Sequence, residues 1–295
     1  AFLDRTEVPA TGESIRAIDY DNVALAPSLS VLYRWDNRTN TYFTYSRGVR
    51  NPSAEELNGV FTHGADFIVV PNPDLSEEQS DSFEFGFQHA TTEHALQASV
   101  YYNDYSGFLE SNVLIEENPD PEADVLTTVN RNAVEIYGAE LRWDYRSRTE
   151  TGLWPGTEFG LAFSWTRGTQ TDINQPLNSV DPWKTVAYAG FQHPSERWGT
   201  RLTGTYHGEK EGDDINQATD AGTLEPVDSV FLIDWTAFYR LNDHWSVNAG
   251  LKNLTDKTYF LWATARRGGG HGGGIAADRN TQPGVNGFLS LNAAF

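Results

Sequence analysis

The chain has 295 residues, with 21 Lys and Arg against 41 Asp and Glu, giving a net charge of −20. That balance excludes a nucleic-acid binder, which needs cationic side chains to displace counterions. Aromatic residues make up 13% and cysteine is absent. Wholesale disorder, disulfides, thiolate metal sites and cysteine nucleophiles are therefore excluded as well.

Residues 1–27 read as the tail of a long loop, in a mature chain or a fragment. Strands are then expected at about 28–36, 41–47, 80–89, 94–107, 133–146, 157–168, 182–192, 197–208, 228–240, 244–254 and 285–295. The signal is alternation, because successive side chains of a strand point to opposite faces. Phe83, Phe85 and Phe87 alternate with Glu84, Gly86 and Gln88. Tyr137, Ala139, Leu141, Trp143 and Tyr145 alternate with Gly138, Glu140, Arg142, Asp144 and Arg146. Further rows run through Phe159, Leu161, Phe163 and Trp165, and through Phe231, Ile233, Trp235, Ala237 and Tyr239. No segment carries a 3.6-residue period, so almost no helix is expected, and no apolar run is long enough for a transmembrane helix.

Many of these strands are about ten residues or longer, the length that crosses a bilayer at a tilt. Connections alternate between tight turns near 37–40, 90–93, 193–196 and 241–243, a somewhat longer one at 147–156, and long loops at 48–79, 108–132, 169–181, 209–227 and 255–284. Short turns on one side and long loops on the other are the pattern of outer-membrane barrels. The fold class expected is an all-β transmembrane antiparallel barrel, with about eleven strands present. Bacterial single-chain barrels have even strand numbers, so partner strands are expected beyond these eleven, as in half of a 22-stranded barrel. All nine Trp, from Trp35 to Trp262, fall in or near strands and suit aromatic girdles at the membrane surface. A soluble β-sandwich would leave the alternation of short and long connections without a cause.

Several stretches resemble one family. "YFTYSRGVRNPSAEEL" at Tyr42–Leu57 and "PNPDL" at Pro71–Leu75 look like two boxes bounding one loop of TonB-dependent outer-membrane receptors. "NRNAVEIYGAELRWDY", "LNSVDPWKTV", "RWGTRLTGTYHGEK", "NLTDKTY" and "DRNTQPGVN" are similar to further segments, several of them from the haem/haemoglobin and transferrin/lactoferrin receptor branch. The first box reads Val49-Arg50-Asn51-Pro52 where the family usually has Phe-Arg-Ala-Pro. The resemblance covers nearly all of residues 1–295. It implies the C-terminal part of a receptor barrel in the outer membrane of a Gram-negative bacterium. It also implies haem as transported ligand, taken free or from haemoglobin or another haem protein, and no permanent cofactor. The partners implied are the TonB complex, a plug domain, the N-terminal barrel strands and outer-membrane lipid. Siderophore receptors share such boxes, and a passive porin-like barrel is the remaining alternative.

Haem iron takes an axial donor from His, Tyr, Met or Cys, and this chain has neither Met nor Cys. His89, His94, His193 and His244 fall at short turns, away from a ligand arriving from outside. His63, between the two boxes, stands where receptors of the haem branch carry a haem-ligating histidine, which makes it the first candidate against a solvated loop residue. In the family the second axial ligand comes from the plug. His271, in "GGGHGGG", is either a transient haem contact or part of a low-complexity insertion. Arg266 and Arg267 beside it have the fork geometry that pairs with propionates. His207 reads as a solvated lumen residue. Arg50, Glu84, Glu140 and Arg142 are candidate lumen or plug contacts, with Arg50 expected to pair with Glu84 or Glu140. No nucleophile, phosphate loop or EF-hand spacing is present, so an enzyme is not expected.

Overall fold

The computed structural model describes residues 5–7, 14–16, 20–63, 67–116, 124–131, 133–147, 154–217, 224–268 and 281–294. A hairpin of β1 (Arg5–Glu7) and β2 (Ser14–Arg16) comes first. A wall then begins with β3 (Ser28–Arg34) and β4 (Thr39–Arg50). An excursion follows, holding α1 (Ala54–Asn58), β5 (Phe61–His63) and β6 (Phe67–Val69). The wall resumes with β7 (Glu78–Ala90) and β8 (His94–Ser106), and a second excursion forms β9 (Phe108–Glu116) and β10 (Asp124–Arg131). Next come β11 (Val134–Arg146), β12 (Thr157–Gln170), the two-residue β13 (Gln175–Pro176), β14 (Lys184–Gln192) and β15 (Trp198–His207). β16 (Val230–Arg240), β17 (Trp245–Lys252), α2 (Trp262–Gly268) and β18 (Asn286–Ala293) complete the order.

Eleven strands pair in sequence across the wall, from β3 and β4 through β7, β8, β11, β12, β14, β15, β16 and β17 to β18, with β13 attached to β12. These are the eleven segments marked by alternation, and every neighbour pair is antiparallel. The sheet does not close on itself. β3 and β18 form its two edges and are exposed along their whole lengths. In lipid an unpaired edge leaves backbone groups without partners, so this open arc needs further strands at both sides to stand in a membrane.

The register lines up one chemistry per face. Phe85, Val100, Ala139 and Trp165 lie side by side across four strands, as do Phe83, Tyr102 and Tyr137. These side chains are turned outward and left open: Phe85 is 52% exposed, Val100 55% and Leu202 49%. A water-soluble protein does not present so large a continuous apolar surface, whereas a lipid-facing wall must. On the opposite face Ser99, Glu140, Ser164, Lys184 and His207 lie in one register line.

The buried apolar residues lie elsewhere. Leu57, Leu75 and Leu109 form one small core, with Tyr20 against it. Ile215, Leu224, Val227, Trp262 and Ala265 form another, packed by Phe260. Both sit in the long connections, on one side of the wall. Trp262, expected in a membrane girdle, is thus a core residue of a loop, 3% exposed. The segments 48–79 and 108–132 are also more ordered than loops. β4 continues to Arg50, β7 begins at Glu78, and β5, β6, β10 and β9 pair into a separate four-stranded sheet. β7, β8 and β11 run 13 residues each and β12 runs 14. That exceeds the ~9–11 a bilayer needs, so their ends stand above the membrane and carry this superstructure.

The opposite side is closed by tight turns with a shared local chemistry. Asp36 accepts hydrogen bonds from the amides of Arg38 and Thr39, Thr91 from those of Glu93 and His94, and Asn242 from those of His244 and Trp245. Short polar side chains favour such turns because they satisfy the amides two and three residues on.

Candidate functional site

The mouth of the wall is built from two loop assemblies. In the first, Ser53 caps α1 by accepting from the Glu56 amide, and the Glu56 carboxylate accepts from the Ser53 amide. This reciprocal pair is a capping box. Arg50, the last residue of β4, donates to the same carboxylate at 2.6 Å. Burial pushes the Glu56 carboxyl up, but the Ser53 amide and the Arg50 guanidinium hold it below its ordinary value. The expected pairing of Arg50 with Glu84 or Glu140 is therefore corrected. β4 outruns the membrane, the chain turns at Pro52, and the carboxylate that comes within reach is six residues along.

α1 leads into the β5–β6 hairpin, where Phe61, Thr62 and His63 pair with Val69, Ile68 and Phe67. β6 then pairs in parallel with β10, joining the first long connection to the second. Side chains reinforce the junction. Asn72 donates to the Thr128 carbonyl, Thr127 to the Val70 carbonyl, and Asn130 to the carbonyls of Ser76 and Gly107. His63 is the last residue of β5 and pairs with Phe67, the first of β6, which places its backbone at one end of this two-stranded unit. Its side chain lies outside the described residues.

The second assembly joins three later connections. Asn178 donates to the Asn216 carbonyl and accepts from its amide, and the Trp262 indole donates to the Asn178 carbonyl. Lys210 donates to the Val180 carbonyl and sits 5.3 Å over the Trp262 ring. Arg266 and Arg267 follow on α2, so their backbone is fixed beside this core. Their side chains, and His271 entirely, lie outside the described residues.

On the inner wall, Tyr42, Glu84, Glu140 and Arg142 line one hollow. Tyr42 donates to Glu84 at 2.6 Å. Arg142 pairs with Asp144 at 2.7 Å, and Asp144 also accepts from Tyr188 at 2.7 Å. Three of the four predicted lumen residues are thus brought together, and Arg50 stands apart at the mouth. Inner tyrosines lie flat across neighbouring glycines: a Cβ at Gly86, Gly138 or Gly160 would overlap the rings of Tyr42, Tyr101 or Tyr188. Glycine inside a strand is here the space for a ring from the next strand. A second charge cluster was not among the predicted site residues. Glu158 holds Arg146 at 2.9 Å and Arg201 at 2.6 Å. Its signal in the sequence is one carboxylate at an inner position with a basic inner position opposite it on β11 and another on β15, reached across Gly190 of β14.

Residues 3–254 match the family model "TonB dependent receptor-like, beta-barrel". The hemoglobin-haptoglobin utilization protein B of Neisseria meningitidis serogroup C is 25% identical over 288 residues, covering 89% of this chain and 35% of the relative. A probable hemoglobin and hemoglobin-haptoglobin-binding protein 4 of Haemophilus influenzae is 25% identical over 266 residues, covering 83% and 26%. The chain spans about a third or less of these relatives. Among solved structures, the ferric enterobactin receptor of Pseudomonas aeruginosa superposes with a TM-score of 0.70 at 20% identity, covering 92% of this chain and 40% of the receptor. The FrpB iron transporter of Neisseria meningitidis does so at 0.67 and 15%, covering 99% and 42%. At such identities these two show the fold alone. With its open arc of outward apolar rows and its model match over most of its length, the chain belongs to the TonB-dependent receptor-like β-barrel family of Gram-negative outer membranes.

Proposed function

We propose that the chain forms wall and outer mouth of a TonB-dependent receptor that takes up haem iron, with haemoglobin or another haem protein as donor. The observation that carries this reading is the match along 89% of the chain to a hemoglobin-haptoglobin utilization protein. The mouth agrees with it, since two folded loop assemblies offer a fixed surface to a large partner. His63 is the proposed iron ligand, as a neutral imidazole at one end of the β5–β6 unit of the first assembly. Arg266, Arg267 and His271 are proposed as further haem contacts beside the second, the arginines toward propionates. Glu84, Glu140 and Arg142 face a plug inside the barrel, while Arg50 braces the mouth. Energy comes from the TonB complex. The curated relatives named above are receptors and binding proteins rather than enzymes, and no catalytic role is proposed.

The test uses the complete receptor. Haem is titrated by Soret absorbance into wild type and His63→Ala, and growth is followed on haemoglobin as the iron source with and without TonB. The reading expects haem binding to fall at least about tenfold in the variant, the loss of one ligand bond, and growth to require TonB. Uptake of a ferric siderophore but not of haem would identify a siderophore receptor. Conductance and growth without TonB would identify a passive barrel.

A further inference from the structure

The outer face of the wall is interrupted at one place. β12 pairs with β14 from Thr157 opposite Phe191 to Ser164 opposite Lys184, and farther on with β13 at Thr169 and Gln170. Between these pairings the strands part and a hollow opens. Two indoles flank it, Trp165 and Trp183, each 38% exposed. Both belong to the outer face. Trp165 meets Tyr137 edge to face, and Trp183 stacks on Tyr206 at 4.8 Å and lies over Gly208, where a Cβ would overlap the ring. Arg167 follows Trp165 on the same face, beside Tyr137, and is exposed. Among the described residues nothing pairs with its guanidinium. Asp181, Glu209 and Asp214 line the hollow too, exposed and without an ion pair to Arg167. Lys210 closes its base, but its ammonium is held by the Val180 carbonyl and the Trp262 ring.

The hollow stands at the water line. On the neighbouring strands the outer row Tyr45, Phe83, Tyr102 and Tyr137 is followed, two residues toward the long loops, by Arg47, Asp81, Asp104 and Glu135. An outer face that changes from aromatic to charged in one step marks the edge of the apolar band. β12 is the sixth of the eleven wall strands, so strands added at either edge do not reach it, and a plug packs the opposite face.

We infer that this hollow binds the headgroup of an outer-leaflet glycolipid that carries phosphoethanolamine. Its unpaired charges have both signs and are held apart, which suits a zwitterion. The guanidinium meets the phosphate in a fork. The ammonium, one ethylene link away, meets the carboxylates and the face of an indole. A plain anion would be repelled by the acidic side of the hollow, and a plain cation by Arg167. The lipid chains lie along the outer apolar rows beneath, so the bilayer itself delivers the headgroup. The inference rests on the outer-membrane setting of the family and is independent of the haem reading.

The experiment titrates the complete receptor, in detergent, with lipid A and with lipid A bearing one phosphoethanolamine, and counts bound lipid by native mass spectrometry. Wild type should prefer the substituted lipid. Arg167→Gln should weaken its binding about tenfold, the value of one charge-assisted hydrogen bond. Asp181→Asn should weaken the substituted lipid about two- to fivefold, as for an exposed ion pair, and strengthen plain lipid A. Arg47→Gln, which alters an outer arginine already held by Asp81, should change neither. Equal affinity for the two lipids, no effect of Arg167→Gln, or an equal loss in Arg47→Gln would overturn the inference. So would a fall in the thermal midpoint of the lipid-free Arg167→Gln receptor, which would give that side chain a structural role. Phosphatidylethanolamine bound as tightly, with the same dependence on Arg167 and Asp181, would overturn the assignment to a glycolipid.

Discussion

The wall and the mouth of this chain solve the burial problem in opposite ways. In the wall the large side chains point out, Leu291 being 61% exposed, and the sheet is held by backbone ladders and by polar contacts across its inner face. In the mouth the same kinds of residue turn inward: Leu57 is 2% exposed and Trp262 3%. The wall relies on lipid to cover its apolar surface, so its hydrophobic stabilisation belongs to the membrane. The mouth stands in water and must build cores of its own. One chain therefore carries two solvents in its design, and the boundary runs through the long strands that outreach the bilayer.

The comparison is sharpest where substitutions act on one region and spare the other. The largest effect is expected for Trp262→Ala. Removing the ring from a closed core costs ~3–5 kcal/mol. Hydrogen exchange should show the connections 209–217 and 255–265 opening while β16 and β17 keep their protection. Equal loss of protection in those strands would mean that the two regions fold as one. Next comes the wall itself. Val100→Arg on the outer face should cost ~2–4 kcal/mol near the bilayer centre, against about 1 kcal/mol or less for Ser99→Arg one residue away. Folding titrations of the receptor into lipid vesicles would read the difference.

The smallest effect tests the joint between the regions. Ser53→Ala should weaken α1 by ~1 kcal/mol through loss of the cap. The same joint responds to pH. Glu56 is held below its ordinary value, so its contribution is complete above the usual carboxylate range and is lost as pH falls through the lowered value. Acidification should thus loosen α1 in wild type, seen by exchange at Leu57 and Asn58, and Glu56→Gln should remove that pH dependence. An unchanged pH response in the glutamine variant would place the titrating group elsewhere.

How much of this could be read from the sequence follows from the same division. All eleven wall strands show a period of two, because lipid and lumen impose opposite demands on alternate residues whatever lies far along the chain. Phe83 to Gln88 and Tyr137 to Arg146 carry that pattern without outside help. The mouth has no such local signature. Leu57, Leu75 and Leu109 stand far apart in sequence, each amid polar neighbours, and only the parallel pairing of β6 with β10 brings their segments together. Trp262 was misread for that reason, since proximity to a strand end does not reveal whether a ring meets lipid or a loop core. Arg50 was misplaced because its box suggests a lumen partner, while its bond is made to a helix whose existence depends on Ser53 and Glu56. Of the candidate site, the inner row was legible as alternation. The Glu158 cluster needs the pairing of four strands, β11, β12, β14 and β15, to be seen.

The central claim is that alternate residues of the wall face two different media. This chain has no cysteine, so single cysteines placed at 96 through 102 of β8, in a receptor whose other segments are kept free of cysteine, report their own surroundings. Labelling in lipid vesicles by a membrane-impermeant maleimide should alternate, with Gln97, Ser99 and Tyr101 positions reacting and Leu96, Ala98, Val100 and Tyr102 positions protected. Uniform labelling, or protection at the odd positions instead, would contradict the account.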